Sequence, residues 1–287
     1  MTFRAVVVGG TSGIGYAMAC RLAEANRASP SSVTVVGRTK PATFPHANME
    51  FRHLDASSMR GIKKFTDELK SSGSKLDFLV MSQGILTMQG RTETPEGIDV
   101  KMALHYYGKQ LLIRELLPVM SDSGRVIIVL DGYLGDPSKL IWDDLDLQTN
   151  YSIKKAADHC ISMNDAMVQF WANTQPDAPA CAKKHFVHAF PGGVNTPIFK
   201  SVIPTYLQYP VSLLAKWALT SPEKCAERLL DGTEQQVKEC AEQGRFWSNI
   251  DNKGNPVKNK AIWTEDQLEK VSKHTWEVID AVLAVKD

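Results

Sequence analysis

In the stretch TNYSIKKAAD, Tyr151 and Lys155 have the types and spacing of a proton-transfer pair. If the segment is helical, four positions make about one turn and the two side chains share a face. A cation beside a phenol favours the tyrosinate form and draws a pKa of about 10 toward neutral pH, which suits a general acid. The same residues also fit an ordinary amphipathic helix, with Ile153, Ala157, Ile161 and Val168 on an apolar side and Asp158, Ser162, Asp165 and Gln169 on a wet one. The pair gains chemical meaning only if other elements bring a cofactor and a strand end to it.

The run VVVGGTSGIGYAMA supplies such a partner. Gly9, Gly13 and Gly15, with Thr11, Ser12 and Ile14 between them, lie where a first strand turns into a first helix. Backbone N–H groups at such a turn, together with the positive end of the helix, suit a pyrophosphate. The second strand ends in VVGRTK, where an acid would bond the ribose 2′-hydroxyl of NAD. Arg38 stands there instead, with Lys40 close behind and no carboxylate, which favours the 2′-phosphate of NADP(H). A solvated basic loop is the alternative.

The elements that must position these residues alternate. Strands are expected at Phe3–Val8, Val33–Gly37, Met49–Leu54, Phe78–Met81, Arg125–Leu130 and His185–Phe190, and helices at Ile14–Asn26, Met59–Lys70, Ile98–Met120 and Tyr151–Asn173. Continuous apolar runs such as AVVV and RVIIVL read as strands buried on both faces. The pattern predicts an α/β fold, a Rossmann-type doubly wound parallel sheet with helices on both faces. Past Pro191 it predicts helices near 205–219 and 222–243, a short strand at RFWSN, a polar loop over 249–260 and a last helix from Glu265 to Val285. Without repeats or linkers, one domain over 1–287 is expected, with a nucleotide-binding part at 1–130 and a catalytic and substrate-binding part at 131–287.

Composition sets the outer limits. A net charge of +1 gives no field for nucleic acid or an acidic membrane, and no apolar run approaches the roughly 18 residues of a membrane span. Five cysteines, odd in number and without a C-x-x-C pair, suit reduced thiols in a cytoplasmic protein. No signal peptide is visible ahead of FRAVVVGG, and no metal is expected. A homo-oligomer is neither demanded nor excluded.

Taken together, T-G-x-x-x-G-x-G spacing (with Val8 in place of the threonine), LDA at 54–56, MSQG at 81–84, YSIKK and PGGVNT at 191–196 resemble the short-chain dehydrogenase/reductase family. The loop from Gly132 to Asn150 is most similar to retinol-dehydrogenase-like members. The resemblance implies that Asp55 contacts the adenine, although it could equally cap the next helix. It places Gly84 in the family's N-N-A-G turn, with Gln83 adding bulk near the ribose. It also implies that Pro191, Gly192 and Val194 shape the turn beneath the nicotinamide and that Thr196 bonds its carboxamide, unless PGGVNT is simply a tight turn. Tyr151 would protonate a carbonyl oxygen while Lys155 lowers its pKa and bonds the nicotinamide ribose.

Two supporting positions depart from the family. Asp131 falls on its catalytic serine and His105 on its asparagine. An ionised carboxylate donates no hydrogen bond, and losing one donor to a developing oxyanion costs about 10²–10³ in rate. A desolvated, protonated Asp131 could still donate, or Tyr133 or Ser138 could replace it. His105 could donate to a water or pack in the aromatic cluster HYY. The leading expectation is an NADPH-dependent reductase of a ketone or aldehyde on a small to medium apolar substrate, its pocket closed by the loop 132–150 and the segment 202–220. The alternatives are non-redox chemistry on the same scaffold, or NADP(H) binding without turnover.

Overall fold

The β-branched runs form a seven-stranded, all-parallel sheet in the order β3-β2-β1-β4-β5-β6-β7. Its strands are β1 (Phe3–Val8), β2 (Ser31–Gly37), β3 (Met49–His53), β4 (Leu76–Met81), β5 (Met120–Val129), β6 (His185–Ala189) and β7 (Trp247–Ile250). The computed structural model describes residues 2–28, 30–71, 73–175, 178–179, 182–200 and 219–285. The helix expected near 205–219, nearly all of the pocket-closing segment 202–220, and Cys181 lie outside these residues.

The helices are α1 (Gly13–Ala25), α2 (Met59–Ser71), α3 (Val100–Met102), α4 (Gly108–Leu116), α5 (Ile153–Asn173), α6 (Pro197–Lys200), α7 (Pro222–Glu242) and α8 (Glu265–Ala284). Strand side chains alternate between two cores, as their period of two requires. Val6, Val8, Leu79, Met81, Val126 and Ile128 pack with α2, α4, α5 and α8. Ala5, Val7, Val80, Ile127 and Val129 pack on the opposite face with α1 and α7. Val8 pairs with Val36 on one side and with Met81 on the other, so the strand order reverses beside β1, where α/β sheets open a crevice.

Three expectations change. The helix expected over Ile98–Met120 is broken by a π turn, Ala103–Tyr107, and gives way at Leu117 to a 3₁₀ turn before β5. β5 in turn starts five residues early, at Met120, and bends through Ser123, whose φ is +55°. The third change concerns α5, whose wet side is not wet. Ser162 and Asp165 are inaccessible and Gln169 is 3% exposed, whereas Ala157 lies at the surface.

Polar partners explain that burial. Asp165 accepts from His188 Nδ1 at 2.5 Å and from Asn249 Nδ2 at 2.6 Å, while Lys260 forms an ion pair with its second oxygen. Gln169 bonds both Ala261 O and Trp263 N. Lys260 and Asn249 also hold the carbonyls of Gly135 and Gly132, which ties the loop after β5 to the far edge of the sheet. Lys260→Met would strand the inaccessible Asp165 carboxylate without its cation. Such a loss costs about 3–5 kcal/mol, so urea denaturation of the variant should show a clearly lower midpoint with an unchanged slope. An unchanged midpoint would rule out a stabilising role for the ion pair.

Candidate functional site

A cavity of about 570 Å³ opens at the C-terminal ends of β1, β2 and β4. The turn between β1 and α1 forms one wall because the glycines allow an approach that no side chain could. A Cβ on Gly15 would lie 2.1 Å from Ser82 Oγ, and one on Gly9 only 2.4 Å from Gln83 N, while Gly9 itself has a φ of +77°. Ser12 caps α1 through its backbone alone, its side chain making no capping bond, and the first turn carries no acidic residue. The first N–H groups of an α-helix have no partner within it. Here they sit at the cavity, where an anion would meet them.

Gln83 also lines the cavity. The residue is 6% exposed, yet among the described residues neither Oε1 nor Nε2 has a partner. Burying an amide without hydrogen bonds is unfavourable by at least about 1–3 kcal/mol, so both atoms call for a polar ligand. The donor set therefore fits a dinucleotide: helix N–H groups for the phosphates, and the Gln83 amide for hydroxyl or amide groups. Arg38 and Asp55 line the same cavity. Asp55 Oδ1 accepts from Ser57 N at 3.0 Å and Ser57 Oγ at 2.7 Å, so it makes a turn as well as lining the cavity. The capping of α2 falls instead to Ser58, whose Oγ accepts from Gly61 N at 3.0 Å, and to Glu96, which takes Met59 N at 2.6 Å and Arg60 N at 3.1 Å.

The floor of the cavity rests on His105. A Cβ on Gly84 would lie 2.7 Å from its Cε1. Its Nε2 lies 3.1 Å from Ile85 N and 2.9 Å from Ile85 O, within reach of either as acceptor or donor. Burial, followed by the charge of Lys109, lowers its pKa to about 4, which keeps the imidazole neutral. Its Nδ1 has no partner among the described residues. The π turn leaves the His105 carbonyl to Asn164 Nδ2 at 2.9 Å, so helix irregularity and side-chain placement are coupled. His105 is thus a prop under the Gly84–Ile85 turn and does not stack with Tyr106 and Tyr107, which pair edge to face with each other.

Tyr151 lies outside the helix it was expected to start. Ser152 is the N-cap of α5, extended at φ −148°, with Oγ accepting from Lys155 N at 3.1 Å. The one-turn argument for Tyr151 and Lys155 therefore fails, and no hydrogen bond or ring contact joins them among the described residues. Lys101 Nζ lies 5.4 Å from the Tyr151 ring centroid instead. The phenol oxygen is buried without a partner among the described residues. Burial raises its pKa above the ordinary value, and Lys101 opposes that rise while Asp99 adds to it.

The loop ahead of Tyr151 is fixed from within. Asp144 accepts from Gln148 N at 2.7 Å, Thr149 Oγ1 at 2.9 Å, Asn150 N at 2.8 Å and Asn150 Nδ2 at 2.9 Å. His159, on α5, accepts from Ile141 N and donates through Nδ1 to Leu145 O, both at 3.0 Å. Neither residue was singled out in the sequence, although an acid with T-N five and six positions on is a turn-forming pattern.

The expected site residues thus divide. Gly9, Thr11, Ser12, Gly13, Ile14, Gly15, Arg38, Asp55, Gly84 and Thr196 line the cavity. Lys40, Tyr151, Lys155, Asp131, His105, Pro191, Gly192 and Val194 do not line it. Lys40 is exposed, while Pro191 and Gly192 make a turn with φ +70° at Gly192, packed on Asn252. Asp131 Oδ1 accepts from Tyr133 N at 3.0 Å and Leu134 N at 3.1 Å, the role of a turn-forming acceptor. Among the described residues no cluster of His, Cys, Asp or Glu could hold a metal, and no helix is long and apolar enough to cross a membrane.

Asp144 generates a pH-dependent expectation. Burial alone would raise its carboxyl, but the bonds from Asn150, Thr149 and Gln148 outweigh burial and hold it well below the usual carboxylate range. A depressed folded-state pKa adds stability that is fully present above the unfolded value of about 3.9 and lost as pH falls through the folded value. Asp144→Ala should therefore destabilise by about 1.5–3 kcal/mol at pH 7, the worth of a hydrogen bond to a charged group. The difference from wild type should shrink below about pH 4. A difference constant down to pH 2 would show that the carboxylate charge is not what holds the loop.

Comparison with known proteins agrees with this geometry. Residues 4–133 match the family described as short chain dehydrogenase. Oxidoreductase AN1596 of Emericella nidulans is 33% identical over 212 residues, covering 70% of this chain and 61% of the relative. Human polyprenol dehydrogenase is 28% identical over 211 residues, covering 69% and 62%. The chain thus spans about three fifths of the length of these two relatives. The solved structure of an NADPH-bound carbonyl reductase from chicken fatty liver superposes with a TM-score of 0.60 at 14% identity, covering 90% of this chain and 99% of that one. A doubly wound sheet, a glycine turn pressed against β4 and this sequence relationship lead to one conclusion: the chain belongs to the short-chain dehydrogenase family.

Proposed function

We propose that the protein is an NADPH-dependent oxidoreductase that reduces a ketone or aldehyde of a small to medium apolar substrate, with Tyr151 as proton donor. The observation that carries the reading is the cavity itself, where unbonded helix N–H groups and the unpartnered Gln83 amide face one space. Support comes from the relatives' names, an oxidoreductase and a polyprenol dehydrogenase, and from the fold shared with an NADPH-bound carbonyl reductase. In this reading Gly13, Ile14 and Gly15 hold the pyrophosphate, Arg38 the 2′-phosphate, and Gln83 the ribose or carboxamide. A bound reduced nicotinamide supplies a hydride. Tyr151 delivers the proton to the carbonyl oxygen, and Lys155, one turn into α5, serves the cofactor ribose. Asp131 acts by holding the loop at Tyr133 and Leu134.

The direct test is NADPH oxidation against a panel of carbonyl compounds. Tyr151→Phe should abolish reduction and leave NADPH binding intact. Cofactor binding with no carbonyl reduced by wild type would end the reductase reading. Arg38→Ala should weaken NADPH by about 1.5–3 kcal/mol, the worth of a charged hydrogen bond, and leave NADH nearly unchanged. Equal losses for both nucleotides would place Arg38 away from the 2′-phosphate. Asp131→Ser tests whether a donor is missing: a gain of up to 10²–10³ would mean that it is. A loss would make Asp131 a working group, and no change would leave it structural.

A further inference from the structure

A second cavity, of about 380 Å³, lies where the polar loop after β7 doubles back beside α7. It shares no lining residue with the first. Its walls are fixed by the fold. Val257 N donates to Asn249 O at 2.9 Å, and Asp251 Oδ1 accepts from Lys253 N at 2.8 Å and Asn255 N at 2.9 Å. The loop is also pressed against α7, where a Cβ on Gly232 would lie 2.4 Å from Gly254 O.

The lining is cationic. Arg245, Lys258 and Lys260 contribute to it, and among the described residues no Asp or Glu does. Lys260 is matched by its ion pair with Asp165. Arg245 and Lys258 have no carboxylate partner among the described residues. Arg245 Nη2 reaches Cys240 Sγ at 3.0 Å, and its guanidinium carbon lies 5.3 Å from the Trp247 ring centroid, a contact that orients the planar fork. Its Nε is buried with no partner among the described residues.

Asn249 presents the complementary need. It is 4% exposed, and its Nδ2 donates to Gly132 O at 2.9 Å and to Asp165 Oδ1 at 2.6 Å. Both amide hydrogens are thereby used, which fixes the orientation of the group, and Oδ1 is left buried without a partner among the described residues. A buried donor and a buried acceptor, both unmet, thus belong to residues that line one cavity. Buried polar groups are ordinarily bonded, and two exceptions in one hollow call for a ligand.

We propose that this cavity is a second ligand site, for a small phosphomonoester that carries a hydroxyl group. Such an ester bears close to two negative charges at neutral pH, its second pKa being about 6. That charge matches Arg245 and Lys258 together, whereas a carboxylate would match only one of them. The phosphate oxygens accept from Arg245 Nε and the Lys258 ammonium, and the hydroxyl donates to Asn249 Oδ1. Val257 and Ile262, the latter 72% exposed, give the carbon skeleton an apolar surface. A volume below the 570 Å³ of the first cavity suits a ligand smaller than a dinucleotide. Asn249 and Lys260 also hold the carbonyls of Gly132 and Gly135, so an occupied site reinforces the tie between the loop after β5 and the sheet edge. The site is independent of the reductase reading.

Isothermal titration calorimetry on the full chain, with glucose 6-phosphate, glycerol 3-phosphate, inorganic phosphate and glucose as probes, is the test. At least one of the two esters should bind at millimolar concentration or below, more tightly than inorganic phosphate, while glucose gives no binding heat. Arg245→Gln and Lys258→Ala should each weaken the ester by about tenfold or more, the effect of losing a charged hydrogen bond. Arg38→Ala, in the first cavity, should leave its affinity unchanged. Lys258 is exposed and its side chain is bonded to no other described residue, so its variant decides the matter even if Arg245→Gln does not fold. Absence of binding by both esters, equal affinity for inorganic phosphate, or a loss in Arg38→Ala with none in Lys258→Ala would overturn the proposal.

Discussion

Everything at the cofactor end depends on the contact between the β1–α1 turn and the end of β4. Gly9 and Gly15 leave no room for a methyl group against Ser82 and Gln83, and that exclusion draws two backbones together beneath the helix N-terminus. Ser82 secures the approach, its Oγ lying 3.2 Å from both Val8 O and Gly9 O. Because the turn packs so closely on β4, the first N–H groups of α1 face a space bounded by Gln83. A side chain at either glycine would disturb the wall, the floor and the anion site together.

Most of the architecture was legible because it depends on patterns that survive averaging. β1 matches its expected bounds, and the two cores follow from alternation in runs such as RVIIVL. What was not legible came from polar groups satisfied over long distances. Nothing local in ISMNDAMVQF says that Asp165 will meet His188 and Lys260, 23 and 95 positions away. Without those partners Asp165 reads as a solvated residue, and with them it becomes part of the core. The π turn was hidden for a similar reason. Its irregular carbonyl is accepted only because Asn164, on another helix, bonds it.

The candidate site was legible in the same uneven way. The glycine turn, Arg38, Asp55, Gly84 and Thr196 were legible because each short motif follows a strand, and all of them line one cavity. Tyr151 and Lys155 were read as sharing a face because four positions make a turn, and a single capping serine undoes that geometry. Ser152 must be extended to offer its oxygen to Lys155 N, so the helix begins two residues after the tyrosine. Asp144 and His159 then fix the loop from which Tyr151 projects.

The start of α5 contains a local conflict that separates the roles of the two lysines. Lys154 and Lys155 both lie in its first turn, with no acidic residue there. Cations at a helix N-terminus are unfavourable by about 0.3–1 kcal/mol each, because the helix dipole is positive at that end. Asp158, one turn on, offsets Lys154 at 2.5 Å. Lys155 has no such compensation among the described residues, so the fold gains nothing from its charge. Residues that break a local rule without local relief are concentrated at functional sites. Lys101 is the opposite case, since it is buried, bonded to Gly90 O and balanced by Asp99, so its charge is settled within the protein.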